Sequence, residues 1–215
     1  LIVIGIDLSG PSNHKDTVAA AFSVKENRLS FIESINVASD QDILSLAGRY
    51  LGKEKVVIGI DAPLSYQDGG GDRVQDKALR GVLKEGGLNG SSIMTPTMTR
   101  MVYITLRGIQ LSRMLQNLHG DAEIVEVHPG AAIGLRMPAP ELALTYKKDT
   151  AARTAVFNWL TEQYFSELPD TTADTTHAID ACGAALAAWY YAAPDKNSIW
   201  VYEKTSAAHP FVMCC

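Results

Sequence analysis

A five-residue string occurs twice in this chain, VIGID at residues 3–7 and VIGID again at residues 57–61. Each copy is a short apolar run closed by an aspartate, Asp7 and Asp61. Runs of this length and composition read as strands buried on both faces, which places them as parallel neighbours at the centre of a sheet covered by helices. Side chains alternate along a strand, so Val3, Gly5 and Asp7 share one face, as do Val57, Gly59 and Asp61. Two neighbouring strands of this kind set two carboxylates side by side at one edge of the sheet. The glycine two positions before each aspartate removes bulk, which admits a helix or a ligand close to the backbone.

The rest of the chain fits around that pair. TVAAAFSV and RLSFIESINV predict a hairpin turning near Glu26–Asn27. A helix is expected over 40–50, starting from a cap at Ser39 or Asp40. Residues 122–128 read as a further strand, 148–166 as a long helix ended by Pro169, 175–192 as a second long helix, and NSIWVYE as a last short strand. The expected class is α/β, a mixed sheet with helices on both faces. A chain of 215 residues suits a single domain over 1–215. Residues 63–120 interrupt the strand pattern with helices near 72–85 and 98–118, and read as a helical insertion capping the carboxyl ends of the strands.

Glu126, in AEIVEVHPG, and Asp180, in the nearly continuous apolar helix THAIDACGAALAAW, are candidates to join Asp7 and Asp61. Gathered like charges are unfavourable unless they hold protons or a cation. Oxygen ligands without cysteine match hard cations, here Mg2+ or Mn2+. Two such ions about 3.5–4 Å apart clamp the attacking and leaving oxygens of a phosphodiester. Asp7, Asp61, Glu126 and Asp180 are therefore the expected catalytic and metal-binding residues, with Asp7 as the natural bridge and Glu126 either ligating or orienting water. The competing structural reading has Asp7 bonding the SGPSN backbone and Asp61 holding the turn at Pro63.

Residues 73–113 carry seven positive and two negative charges inside a chain of net charge -5. A local positive rim over an acidic centre suits a phosphate-bearing substrate, nucleic acid or nucleotide. Arg73, Arg80, Arg100 and Arg107 are its candidate substrate-binding residues, joined by His128 at a strand end and His177 one turn before Asp180. The alternative is a solvated helical surface with Asp76 paired to Arg73 or Arg80. Gly69–Gly71 lacks the GK[ST] continuation of a Walker loop, and the cysteines lack zinc spacing. LIVIGID reads as a strand and not a signal peptide, and the apolar stretch 178–193 is short for a membrane span and contains Asp180. A cytoplasmic location is expected, with no membrane partner.

Four segments, VIGIDLSG, IDAPLS followed by RVQDKALR, EVHPGAA and HAIDACGAALAAW, stand in an order that resembles the family known as domain of unknown function 429. That family looks like a predicted nuclease branch of the ribonuclease-H-like superfamily. The resemblance implies a ribonuclease-H-like sheet with an acidic site at Asp7, Asp61, Glu126 and Asp180, and it matches Arg73, Asp76 and Arg80 to an RxxDxxxR element. The expected function is metal-dependent phosphodiester hydrolysis of nuclease type. Two alternatives stand beside it: an ATP-dependent phosphotransferase of actin-like type, and a non-catalytic binding protein with the same fold.

Overall fold

Strand β1 (Ile2–Asp7) occupies an inner position of an eight-stranded sheet whose order is β6-β3-β2-β1-β4-β5-β8-β7. The remaining strands are β2 (Val18–Lys25), β3 (Arg28–Asn36), β4 (Val56–Asp61), β5 (Glu123–Val127), β6 (Phe165–Ser166), β7 (Val201–Tyr202) and β8 (Val212–Cys214). The computed structural model describes residues 1–120 and 122–215. β1 and β4 are parallel and in matched register, with Gly5 beside Gly59 and Asp7 beside Asp61. β2 runs antiparallel to β1, and β3 antiparallel to β2, through a turn in which Glu26 and Asn27 both take positive φ, 47° and 61°. Two successive left-handed residues are what a tight hairpin turn needs to follow the twist of its strands. The sheet is mixed and helices cover both faces, as expected for an α/β chain.

The alternation along β1 and β4 divides the core. Ile2, Ile4, Ile6, Ile58 and Ile60 enter one cluster, together with Ile43 and Leu46 of α1 (Asp40–Gly48). Ser39 caps α1, its hydroxyl accepting from the Asp42 amide while the Asp42 carboxylate accepts from the Ser39 amide. Val3, Val57, Val125 and Val127 face the opposite cluster.

Two helices lie between β4 and β5. α2 (Val74–Glu85) buries Leu79 and Leu83. α3 (Val102–Leu118) buries Leu111 and Leu115 in the same cluster as α1. The expected insertion is thus partly core: the later turns of α3 belong to the helix layer of one face, while Ile104 near its start lies at the same cavity as Asp7 and Asp61 at the strand ends. Two short helices follow β5, α4 (Pro129–Gly134) and α5 (Pro140–Thr145). The long helix expected at 148–166 is α6 (Thr150–Gln163), capped by Asp149. It ends before Pro169 because Phe165–Ser166 leaves to pair with β3. α7 (Thr176–Ala192) lies across β1, β2 and β4.

The two repeated glycines explain how closely α7 can sit. A Cβ built on Gly5 would lie 2.0 Å from the Ala181 carbonyl oxygen, and one on Gly59 would lie 2.5 Å from that of Ala184. Helix and strands therefore touch backbone to backbone at these points. Among the described residues no helix is long and apolar enough to cross a membrane.

Candidate metal centre

The close seat of α7 brings its first turn over the carboxyl ends of β1 and β4. There Asp7, Asp61 and Asp180 each offer an oxygen within 4.8 Å of the others. Asp7 and Asp180 are buried and Asp61 is partly so. Asp7 comes from β1, Asp61 from the same register position of β4, and Asp180 from the second turn of a helix capped by the Thr175 hydroxyl. Three of the four expected acidic residues thus meet.

Glu126 does not join them. In the register of β4 with β5, Glu126 pairs with Ile60, not Asp61. Paired residues of parallel strands point to the same face, so Glu126 leaves the sheet on the side opposite Asp7 and Asp61. It accepts instead from Arg73 at 2.5 and 2.8 Å and from the Leu64 amide at 2.9 Å. Arg73 is 1% exposed and also grips Asp76, so two carboxylates and one guanidinium close a buried network. Asp76 pairs with Arg73, as the structural alternative for this segment expected.

Most of the expected basic rim is likewise committed to structure. Arg80 forms a paired contact with Asp72 at 2.5 and 2.7 Å, and Asp72 is held well below the usual carboxylate range by that contact. Arg107 is buried, bonded to Asp40 at 2.7 Å and to the Ser9 and Ala38 carbonyls. Arg73, Arg80 and Arg107 thus each already hold a carboxylate partner, while Arg100 is exposed. His128 accepts from the Ala131 amide as the cap of α4, and burial pushes its pKa down to about 4, which keeps it neutral. Of the two histidines only His177 reaches the centre, with Nδ1 2.7 Å from Asp7 Oδ2.

Two residues that no sequence pattern marked complete the site. The buried Tyr146 hydroxyl donates to Asp180 Oδ1, and the Lys147 ammonium lies 2.7 Å from Asp180 Oδ2. Both follow α5 directly, and α5 packs between α4 and α6. The segment ALTYKKDT carries nothing that ties it to a strand end 85 or more positions away. The only available signal is general: a buried aspartate demands a donor.

The charges explain one another. Burial, and then the Asp180 charge, push Asp7 up to about 6, against the lowering effect of its His177 hydrogen bond. Asp61 is raised well above its usual value, by burial and then by the charges of Asp7 and Asp180. Burial alone would lower the Lys147 pKa, but Asp180 and Asp61 outweigh it and raise it. His177 is raised by its bond to Asp7. The centre has a surplus of negative charge that one ammonium does not cancel.

Asp7, Asp61, Tyr146 and Lys147 line a cavity of about 870 Å3 whose wall also takes in Arg73, Glu126, His128, Lys148, Leu83 and Ile104. Residues 5–205 match the model of a family described as "Protein of unknown function (DUF429)". The chain belongs to the DUF429 family. No curated protein matches it. In this DUF429 chain the family match embraces every residue of the centre, from Asp7 to Asp180.

Proposed function

We propose that the chain is a metal-dependent phosphodiester hydrolase, nuclease-like in chemistry, acting on a nucleotide or on a single-stranded end. One observation carries the reading: Asp7, Asp61 and Asp180 present oxygens within 4.8 Å of one another, and Asp7 and Asp61 line a cavity that Lys147 and Lys148 also line. The donor set fits Mg2+ or Mn2+. All donors are carboxylate oxygens, and opposite ligands of an octahedral ion with bonds of about 2.1 Å stand about 4.2 Å apart. The Asp7 and Asp61 oxygens, within 4.8 Å of each other, stand near that separation. The meander of β3, β2 and β1 beside parallel β4 and β5, with acids at the ends of the two central strands, supports the ribonuclease-H-like relationship. Buried thiols at Cys182, Cys214 and Cys215 suit a cytoplasmic setting.

When bound, the divalent cation supplies charge for a developing phosphorane-like transition state and lowers the pKa of a water. Asp7 and Asp61 hold it. Tyr146 and Lys147 fix the orientation of Asp180. His177, half-exposed and bonded to Asp7, carries a proton between the cavity and solvent. Lys147 and Lys148 meet non-bridging phosphate oxygens, and the apolar wall from Leu83 to Ile104 limits water. A half-enclosed cavity without a continuous basic rim favours a substrate that enters it over a duplex lying across it.

The test is Mn2+-dependent hydrolysis of thymidine 5′-p-nitrophenyl phosphate and of short single strands, with Asp61→Asn as control. Turnover that needs Mn2+ and drops at least about 100-fold in the variant supports the reading. A wild-type chain that binds neither Mn2+ nor Mg2+ by calorimetry removes it.

A further inference from the structure

Resting on the metal-dependent reading above, we propose that Lys147 supplies one of the centre's positive charges in covalent form, so that the chain holds a single divalent cation between Asp7 and Asp61. A bare three-carboxylate site would take two.

The oxygen atoms already in use point to this. Asp180 has both of its oxygens engaged, Oδ1 by the Tyr146 hydroxyl and Oδ2 by the Lys147 ammonium at 2.7 Å. Asp7 has Oδ2 engaged by His177 at 2.7 Å. Asp61 makes no ion pair with a cationic side chain among the described residues. The oxygens open to a metal therefore belong to Asp7 and Asp61, the pair placed side by side by the matched register of β1 and β4.

Charge gives the same count. The fourth acid expected at the centre, Glu126, is neutralised in the Arg73–Asp76 network and lends nothing. With His177 neutral, three ionised carboxylates against one ammonium leave two negative charges, which one divalent ion cancels. A second ion would leave two uncompensated positive charges in a largely buried site, and such charges are costly. Lys147 is held by this charge and not by packing, since its side chain remains 56% exposed. It stands in the cavity where it serves both Asp180 and an incoming phosphate oxygen.

The experiment is Mn2+ titration of the full chain by calorimetry near neutral pH, paired with electron paramagnetic resonance of the loaded protein. The wild type takes one Mn2+ and gives the six-line signal of an isolated ion. Lys147→Ala frees Asp180 Oδ2 and takes two, with the broadening of neighbouring spins. Lys147→Gln keeps most of the stem and a hydrogen-bond donor without the charge, and also takes two. Lys147→Arg stays at one. Circular dichroism establishes that each variant is folded. Two ions in the wild type, or one in both Lys147→Ala and Lys147→Gln, overturns the role of Lys147 while leaving the metal site standing. No ion in the wild type overturns the metal reading itself and this inference with it.

Discussion

Replacing Asp7 by Asn should stabilise the metal-free protein, and the size of the gain follows from the site. In the folded chain the Asp7 carboxyl is raised from 3.8 to about 6. A group raised on folding favours the folded state while it is protonated, and that advantage fades as the pH climbs through the folded value. Keeping Asp7 ionised at pH 8 therefore costs the wild type about 3 kcal/mol. The amide is neutral at every pH, and its oxygen still accepts from His177. The expected gain at pH 8 in EDTA is up to about 3 kcal/mol, or roughly 6–12 °C in a chain of this size. By pH 4.5 it shrinks to about 1 kcal/mol, because the wild-type carboxyl is then protonated in the folded state and partly so in the unfolded one. Mn2+ at about 100 times its Kd returns about 2.7 kcal/mol to the wild type alone and closes the gap. Thermal melts of both proteins at pH 4.5 and pH 8, with and without Mn2+, read all of this. If Asp7→Asn melts below the wild type in EDTA at pH 8, the account of the centre as an electrostatically strained cluster is wrong.

Gly59→Ala forces a Cβ to 2.5 Å from the Ala184 carbonyl. Denaturant melts should show a loss of about 3 kcal/mol or more, with weaker Mn2+ binding as Asp180 is pushed from the strand ends. Arg73→Ala leaves Glu126 and Asp76 buried without their partner and should cost about 3–5 kcal/mol in the same assay. Glu126→Gln should leave Mn2+ affinity within about threefold of wild type in calorimetry, because Glu126 stands outside the cluster. A tenfold loss there would restore it as a ligand.

Much of the framework was legible because it depends on short-range chemistry. The alternation in VIGID identified the two central strands, the Glu26–Asn27 turn and the Ser39 cap were visible as local signals, and α7 announced itself as an apolar helix with one aspartate. The glycines of VIGID promised a close approach, and α7 makes it. What escaped was set by relations between distant segments. Period-2 alternation says which residues of β5 share a face but not which face of the sheet that is, so Glu126 was expected beside Asp61 when the register puts it beside Ile60. The charge count over 73–113 suggested a basic rim because the acids that neutralise it, Asp40, Asp72 and Glu126, lie outside that window. β8 has only three residues and exists because β5 offers it a partner. Tyr146 and Lys147 reach Asp180 through the packing of two short helices that carry no strong periodicity.

The acids and the ammonium of the centre are carried by different parts of the molecule. Asp7, Asp61 and Asp180 hang from the two innermost strands and from the helix pressed onto them. Lys147 sits just past α5, a helix of six residues none of which is fully buried. The anionic half is thus mounted on the central strands and α7, while the cationic half follows a short helix with no buried residue. Under the proposed metal reading, a change confined to that outer segment would alter the charge of the cleft while leaving the strands and α7 beneath it untouched.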